Sequence, residues 1–260
     1  LRLQNNNLIA QSKSSSQMTK ILIPLPDKDF DLTEVAVPWH FFKKEGYTVV
    51  FATEKGNIAQ TDPLLITGVL FGQLGAKPEA IAFYRELEKS SEFLNPITYD
   101  AINVAHYNAL HLPGGHAKGM KQYLENTLLQ EKVSAFFEQN KIVGAICHGG
   151  IVLARTMDKN TGRSVIYNKK MTALTKLLER AAYYVSAWKL GNYYRTYPIY
   201  VQDEICQNLC HKNQFTSGNP LKPMVVTDDK LITARWPLDA YLYAQTMIAH
   251  IKALPPSDAQ

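Results

Sequence analysis

Ile142-Val143-Gly144-Ala145-Ile146 runs directly into Cys147-His148-Gly149-Gly150 and then into Ile151-Val152-Leu153-Ala154. A short continuous apolar run reads as a strand buried on both faces, and the apolar stretch beyond the glycines reads as a helix. A strand that turns into a helix across one residue is a nucleophile elbow. The sharp turn lifts the side chain at its apex clear of the sheet, and small residues stand where strand and helix backbones approach. Gly149 and Gly150 supply that space, and Cys147 occupies the apex. The helix start behind the sulfur aims free N–H groups and its positive end at it, which favours thiolate; a thiol at its ordinary pKa of ~8.5 is mostly protonated at neutral pH. Most lone cysteines are small buried hydrophobes, and the turn context reverses those odds.

Working outward, the same order of strand, helix and strand recurs. Ile21-Leu22-Ile23 is a buried strand stopped by Pro24 and Pro26, Thr33 to Glu45 is an amphipathic helix closed at Gly46, and Tyr47 to Ala52 is a second strand. Tyr107 to Leu112, Leu128 to Asn140 and Lys141 to Ile146 repeat the pattern. Repeated crossovers predict a mostly parallel sheet with helices on both faces. Met224 to Thr227 and Leu231 to Ala234 read as strands around a turn at Asp228 and Asp229, and Pro237 opens a last amphipathic helix. Two stretches break the rhythm. Residues 55–100 carry Gly68, Gly72 and Gly75 before a charged helical stretch from Pro78 to Lys89. Residues 183–223 are irregular and dense in aromatics, including Tyr183, Tyr184, Trp188, Tyr193, Tyr194, Tyr197 and Tyr200. Both are expected to cap the site, the aromatic one as a packed lid or dimer surface in preference to a substrate cage.

The composition is that of a folded chain: 260 residues, 46% hydrophobic and 20% charged, enough for one full-sized core. Residues 19–255 are read as a single domain. Residues 1–18 are rich in Asn, Gln and Ser and lack the apolar core of a secretory signal; they read as a disordered or non-native tail, with Met18 a candidate start. No window offers the ~20 apolar residues of a membrane span. The net charge of +5 is spread along the chain without a basic block, which argues against nucleic acid as a partner. Three cysteines are too few and odd in number for a disulfide framework, so a reducing, cytoplasmic compartment is expected.

Cys206, Cys210 and His211 sit at helical spacing but lack a second ligand pair, so a plain helix is preferred to a metal site. Of His106, His111 and His116, only His116, which follows a strand end, is placed near the site. No Gly-x-Gly-x-x-Gly or Gly-Lys-Ser/Thr loop implies a nucleotide. Leu112-Pro113-Gly114-Gly115-His116 ends another apolar strand, and its glycine pair leaves backbone N–H groups open to an oxyanion.

Pro113-Gly114-Gly115 followed by Ala145-Ile146-Cys147-His148-Gly149 resembles the ThiJ/PfpI superfamily, as does Asp31-Leu32-Thr33-Glu34-Val35-Ala36-Val37-Pro38, the counterpart of its first loop and helix. The resemblance spans Thr19 to Ala253. It is closest to the branch of heat-shock chaperones with glyoxalase activity and to bacterial proteins described as type 1 glutamine amidotransferase-like. It implies a flavodoxin-like three-layer αβα sandwich, with the site at the carboxyl ends of the strands and a cap from the two excursions. Carried over residue by residue, it makes Cys147 the nucleophile, His148 its neighbouring histidine and Glu34 the acid/base that reaches the sulfur. After a strand at Val165 to Tyr167, Met171-Thr172-Ala173-Leu174-Thr175 resembles the family's Thr-Gly-Phe-Thr segment and puts Glu179 in the place of the acidic partner of His148, although Ala173 departs from the usual glycine. The alternative is a surface helix residue paired near Arg180. His211 and His250 lack the His-x-Glu spacing of true glutamine amidotransferases, so glutaminase activity is rejected.

The resemblance implies cofactor-independent conversion of 2-oxoaldehydes to 2-hydroxy acids, or related deglycation, with neither cofactor nor metal. Catalysis is assigned to Cys147, His148, Glu34 and Glu179, the oxyanion hole to Gly114, Gly115 and the His148 backbone, and substrate contact to His116, Tyr193 and Tyr194. The alternatives are a cysteine peptidase or amidase and a redox-responsive chaperone oxidised at Cys147. The expected partner is a small aldehyde, or an amide or peptide substrate, and the expected assembly a homodimer.

Overall fold

Ile21, Leu22 and Ile23 are fully buried at the centre of β1 (Lys20–Pro24), as an apolar run between two covered faces requires. The computed structural model describes residues 19–68 and 75–255; the expected tail, with Met18, and Gly72 lie outside them. After β1 come β2 (Lys28–Phe30), α1 (Leu32–Lys44), β3 (Thr48–Thr53), β4 (Gln60–Thr61), α2 (Pro63–Thr67), α3 (Pro78–Leu87), α4 (Ser91–Leu94) and β5 (Ile97–Thr98). The second half adds β6 (Ala109–Leu112), α5 (Lys121–Leu124), α6 (Thr127–Glu138), β7 (Ile142–Ile146) and α7 (Gly149–Arg155). It continues with α8 (Lys176–Leu190), α9 (Val201–Asn208), β8 (Val225–Asp228), β9 (Leu231–Ala234) and α10 (Ala240–Lys252).

Among the described residues, the main sheet has 7 strands in the order β5-β3-β1-β6-β7-β9-β8, parallel except for the β8–β9 hairpin. The expected α/β architecture is therefore present. α1 packs on α3 and α10, whereas α7 packs on α6 and α9. Gly144 faces α10 so closely that a Cβ there would lie 2.2 Å from the Tyr243 hydroxyl. From β1 the chain passes to β3 on one side and later returns to β6 on the other. Ligands collect at such a switch point, outside the carboxyl ends of the strands. Glu34 follows β1, Gly114 follows β6 and Cys147 follows β7, so topology alone gathers them there. Pairing of Leu112 with Ala145 and of Ile146 with Ala234 sets the Pro113-Gly114 turn beside the elbow.

Several sequence expectations are corrected. Val165 to Tyr167 is a turn, not a strand; its Val165 N–H bonds Thr156 O and no ladder forms. The stretch from Tyr183 is not irregular: Thr175 caps α8 with its side chain, and the chain stays helical to Leu190 before a short strap, 191–200, leads into α9. Cys206 lies in α9, but the helix ends at Asn208, so Cys210 and His211 are not on it. The first excursion is only partly a cap, because α3 covers α1 and β5 extends the sheet. Among the described residues, no helix is long and apolar enough to cross a membrane.

Candidate active site

Cys147 sits at the elbow with φ of +57°, a left-handed conformation that a side chain rarely adopts. Such strain costs of order 1 kcal/mol or more and persists only where the surroundings enforce it. The enforcement is visible. Cys147 N–H donates to Ala234 O at 3.1 Å, and a Cβ on Gly149 would stand 2.1 Å from Leu112 O. A Cβ on Gly114 would come within 2.8 Å of Cys147 Cβ. The small residues of both motifs let the two turns interlock.

Glu34 lies in the first turn of α1, whose N-cap Asp31 accepts from the N–H groups of Thr33 (2.8 Å) and Glu34 (3.2 Å). Four residues on, Pro38 has no N–H, so the Glu34 carbonyl lacks its intrahelical donor. His111 fills the vacancy: its Nε2 is 2.8 Å from Glu34 O, and its Nδ1 is 2.7 Å from the Tyr243 hydroxyl. Burial lowers the His111 pKa to about 4, so the ring is neutral. It donates from Nε2 to the carbonyl and accepts from Tyr243 at Nδ1. His111, expected to stand apart from the site, thus anchors the turn that carries Glu34. The signal was present in Pro38, but only the fold shows which donor replaces the missing N–H.

The Glu34 carboxylate is fully buried, and its Oε2 accepts the Gly114 N–H at 2.8 Å. This corrects the expectation that Gly114 offers a free oxyanion donor. Nor does Gly115 border open space: a Cβ there would lie 2.6 Å from Asp29 O. The His148 N–H does approach the sulfur. Burial pushes the Glu34 carboxyl well up, with the Asp31 charge adding to it. Burial likewise raises Cys147, helped by the Glu34 and Asp31 charges. The helix start after Cys147 is real, and burial with the two neighbouring acids acts against its pull towards thiolate. Two buried acids side by side keep at least one proton between them.

Two imidazoles flank the sulfur: His148 Nδ1 at 3.5 Å and His116 Nε2 at 3.8 Å. Burial holds both rings below the usual histidine range, His116 at about 4. His148 Nε2 is 3.3 Å from Thr196 Oγ1, and the Thr196 hydroxyl gives its single proton to His116 O. The hydroxyl can then only accept, so His148 carries its proton on Nε2 and turns the Nδ1 lone pair to the sulfur. Glu179, assigned that orienting task, does not touch His148. Its Oε2 accepts the Val201 N–H at 2.8 Å, and Oε1 is 3.6 Å from Arg195 Nη1. It is not a surface residue either, being 2% exposed. Thr196 went unnoticed because a threonine in a strap has no sequence signature.

The strap closes the site. The Tyr193 hydroxyl donates to Asp62 Oδ1 at 3.0 Å, Tyr194 meets His116 edge-on with centroids 6.1 Å apart, and the Tyr197 hydroxyl donates to Glu125 Oε1 at 2.7 Å. Cys147 and His148 are buried beneath it. His116 stands beside the sulfur and Tyr194 against His116, whereas the Tyr193 hydroxyl braces the strap on Asp62. A thiol, an acid that shares protons with it and a histidine lone pair aimed at the sulfur form a set suited to thiol addition coupled to proton transfer.

Comparison with known proteins agrees with this architecture. The chain is 26% identical over 223 residues to the Glutathione-independent glyoxalase HSP31 of Saccharomyces cerevisiae, covering 85% of this chain and 88% of that one. It is 25% identical over 226 residues to Glyoxalase 3 of Candida albicans, covering 84% and 87%. The crystal structure of glyoxalase III from Candida albicans superposes with a TM-score of 0.69 at 21% identity, over 90% of this chain and 98% of that one, a likeness of fold. The model of the ThiJ/PfpI family-like proteins matches residues 25–221, which include Glu34, Gly114, His116, Cys147, His148 and Thr196. The chain belongs to the ThiJ/PfpI family.

Proposed function

We propose that the protein is a glutathione-independent glyoxalase, converting small 2-oxoaldehydes such as methylglyoxal into 2-hydroxy acids with Cys147 as nucleophile. The observation that carries this reading is the pairing of the Cys147 thiol with the buried, proton-retaining Glu34. Relatives named as glyoxalases support it.

Sulfur attacks the aldehyde carbon while its proton passes to His148 Nδ1, 3.5 Å away. Glu34 gives its proton to the aldehyde oxygen, which completes a hemithioacetal and leaves Glu34 as carboxylate. That carboxylate removes the C1 hydrogen while the C1 hydroxyl proton passes to O2, giving an enediolate, and Glu34 returns the proton to C2, so that a 2-hydroxy thioester results. Water then cleaves the thioester; its proton restores Glu34, and His148 reprotonates the departing sulfur. Cys147, Glu34 and His148 each end in the protonation state in which they began, and no cofactor enters. The buried site excludes competing water until the strap admits substrate. A closed strap over a narrow site disfavours the peptidase alternative, since an extended peptide needs an open groove.

The test is methylglyoxal consumption without glutathione, with D- and L-lactate both measured. Wild type forms lactate and Cys147→Ala forms none. Undiminished turnover by Cys147→Ala would overturn the mechanism.

A further inference from the structure

We propose that His116, Cys147 and His148 form a three-ligand site for a thiophilic divalent cation of the zinc class, and that its occupancy holds the nucleophile inactive. His116 Nε2, Cys147 Sγ and His148 Nδ1 can each offer one ligand atom, all within 4.8 Å of one another. For tetrahedral zinc, with Zn–S of ~2.3 Å and Zn–N of ~2.0 Å, the sulfur-to-nitrogen edge is roughly 3.5 Å. The two edges present are 3.5 Å to His148 and 3.8 Å to His116. The two sulfur-to-nitrogen distances thus stand close to the spacing that the ion would impose, and the nitrogen-to-nitrogen distance, within 4.8 Å, closes by a turn of the His116 ring.

The surroundings favour a ligand set over a chance cluster. His148 already has the outer partner that metal-binding histidines use, since Thr196 Oγ1 receives its Nε2–H and leaves Nδ1 free as donor. Among the described residues, His116 Nδ1 is buried without a hydrogen-bond partner, so no bond there fixes the ring against a small turn towards the ion. One Cys and two His ligands leave a fourth position open, the pattern of a site that keeps a water or takes a further oxygen.

Binding replaces the S–H bond by a metal–sulfur bond and releases that proton to water; the imidazoles contribute lone pairs and lose nothing. The sulfur pair that attacks an aldehyde is then committed to the metal, and His148 Nδ1 can no longer receive a proton. The ion therefore acts against the reaction proposed above and is not a cofactor for it. The site itself is independent of that reaction.

The experiment titrates metal-free protein with Co2+ and then displaces it with Zn2+. Wild type takes up one equivalent with a thiolate-to-cobalt charge-transfer band, and zinc protects Cys147 from iodoacetamide, read by peptide mass. Cys147→Ala abolishes the band. His116→Ala weakens affinity at least tenfold, with circular dichroism confirming its fold. Cys206→Ala/Cys210→Ala keeps both band and stoichiometry. Absence of the band in wild type, its survival in Cys147→Ala, its loss in Cys206→Ala/Cys210→Ala, or unchanged affinity in His116→Ala would each overturn the site. None of these readouts involves methylglyoxal, so failure of the glyoxalase reading and failure of the metal site are told apart.

Discussion

Glu179→Gln should change the pH dependence of stability in a direction opposite to that of most carboxylates. Glu179 is 2% exposed, and burial raises its pKa from 4.5 to about 7, against the lowering effect of the Val201 N–H and Arg195. The folded protein thus holds this proton more tightly than the unfolded chain between those two values. Stability from the group is fully present below pH 4.5 and is lost as pH rises through about 7. At about 1.36 kcal/mol per pH unit the loss amounts to roughly 3 kcal/mol. Glutamine keeps the acceptor for Val201 N–H and has no proton to lose. Urea unfolding of both proteins from pH 4 to 8 isolates the effect, because Asp31, also raised by burial to about 6, contributes equally to both and cancels in the difference. Wild type should lose stability relative to Glu179→Gln by that amount as pH rises. A difference independent of pH would mean that the Arg195 ion pair offsets burial and that Glu179 is ionised throughout.

Thr196→Val leaves His148 Nε2–H buried without an acceptor, a defect of about 1–3 kcal/mol; turnover of methylglyoxal should fall roughly 5- to 150-fold, and unchanged kcat would exclude Thr196 as a positioning residue. His111→Leu orphans both the Glu34 carbonyl and the Tyr243 hydroxyl. Its Tm should drop by several degrees, at roughly 2–4 °C per kcal/mol, and a wild-type Tm would show that the Pro38 vacancy needs no filling. Gly149→Ala places a methyl group 2.1 Å from Leu112 O, so folded, soluble protein with wild-type circular dichroism and Tm would contradict the interlocked elbow.

The fold was legible where it depends on neighbours in sequence. The apolar runs at Ile21 to Ile23 and Ile142 to Ile146, with a helix between successive strands, imply parallel crossovers whatever the rest of the chain does. The elbow was legible for the same reason: strand, apex and glycines are contiguous, and Cys147 has the left-handed φ that such a turn demands. Glu34 and Cys147 came together because each follows a central strand at the switch point. The turn at Val165 to Tyr167 was misread because three residues with high strand propensity look alike whether or not a neighbour completes the ladder.

The partner of His148 was another matter. A motif placed Glu179 there, but α8 carries that carboxylate to the N–H of Val201, and Thr196, 48 residues from His148, occupies the place instead. His111 reaches Glu34 O across 77 residues for a similar reason. The sequence by itself determined which side chains carry the chemistry and which strands bring them to one end of the sheet. Tertiary structure alone decided their protonation and their partners. Burial raises Glu34 and Cys147 against the influence of a helix start, and side-chain hydrogen bonds form between whatever groups the packing brings within reach, irrespective of their separation along the chain.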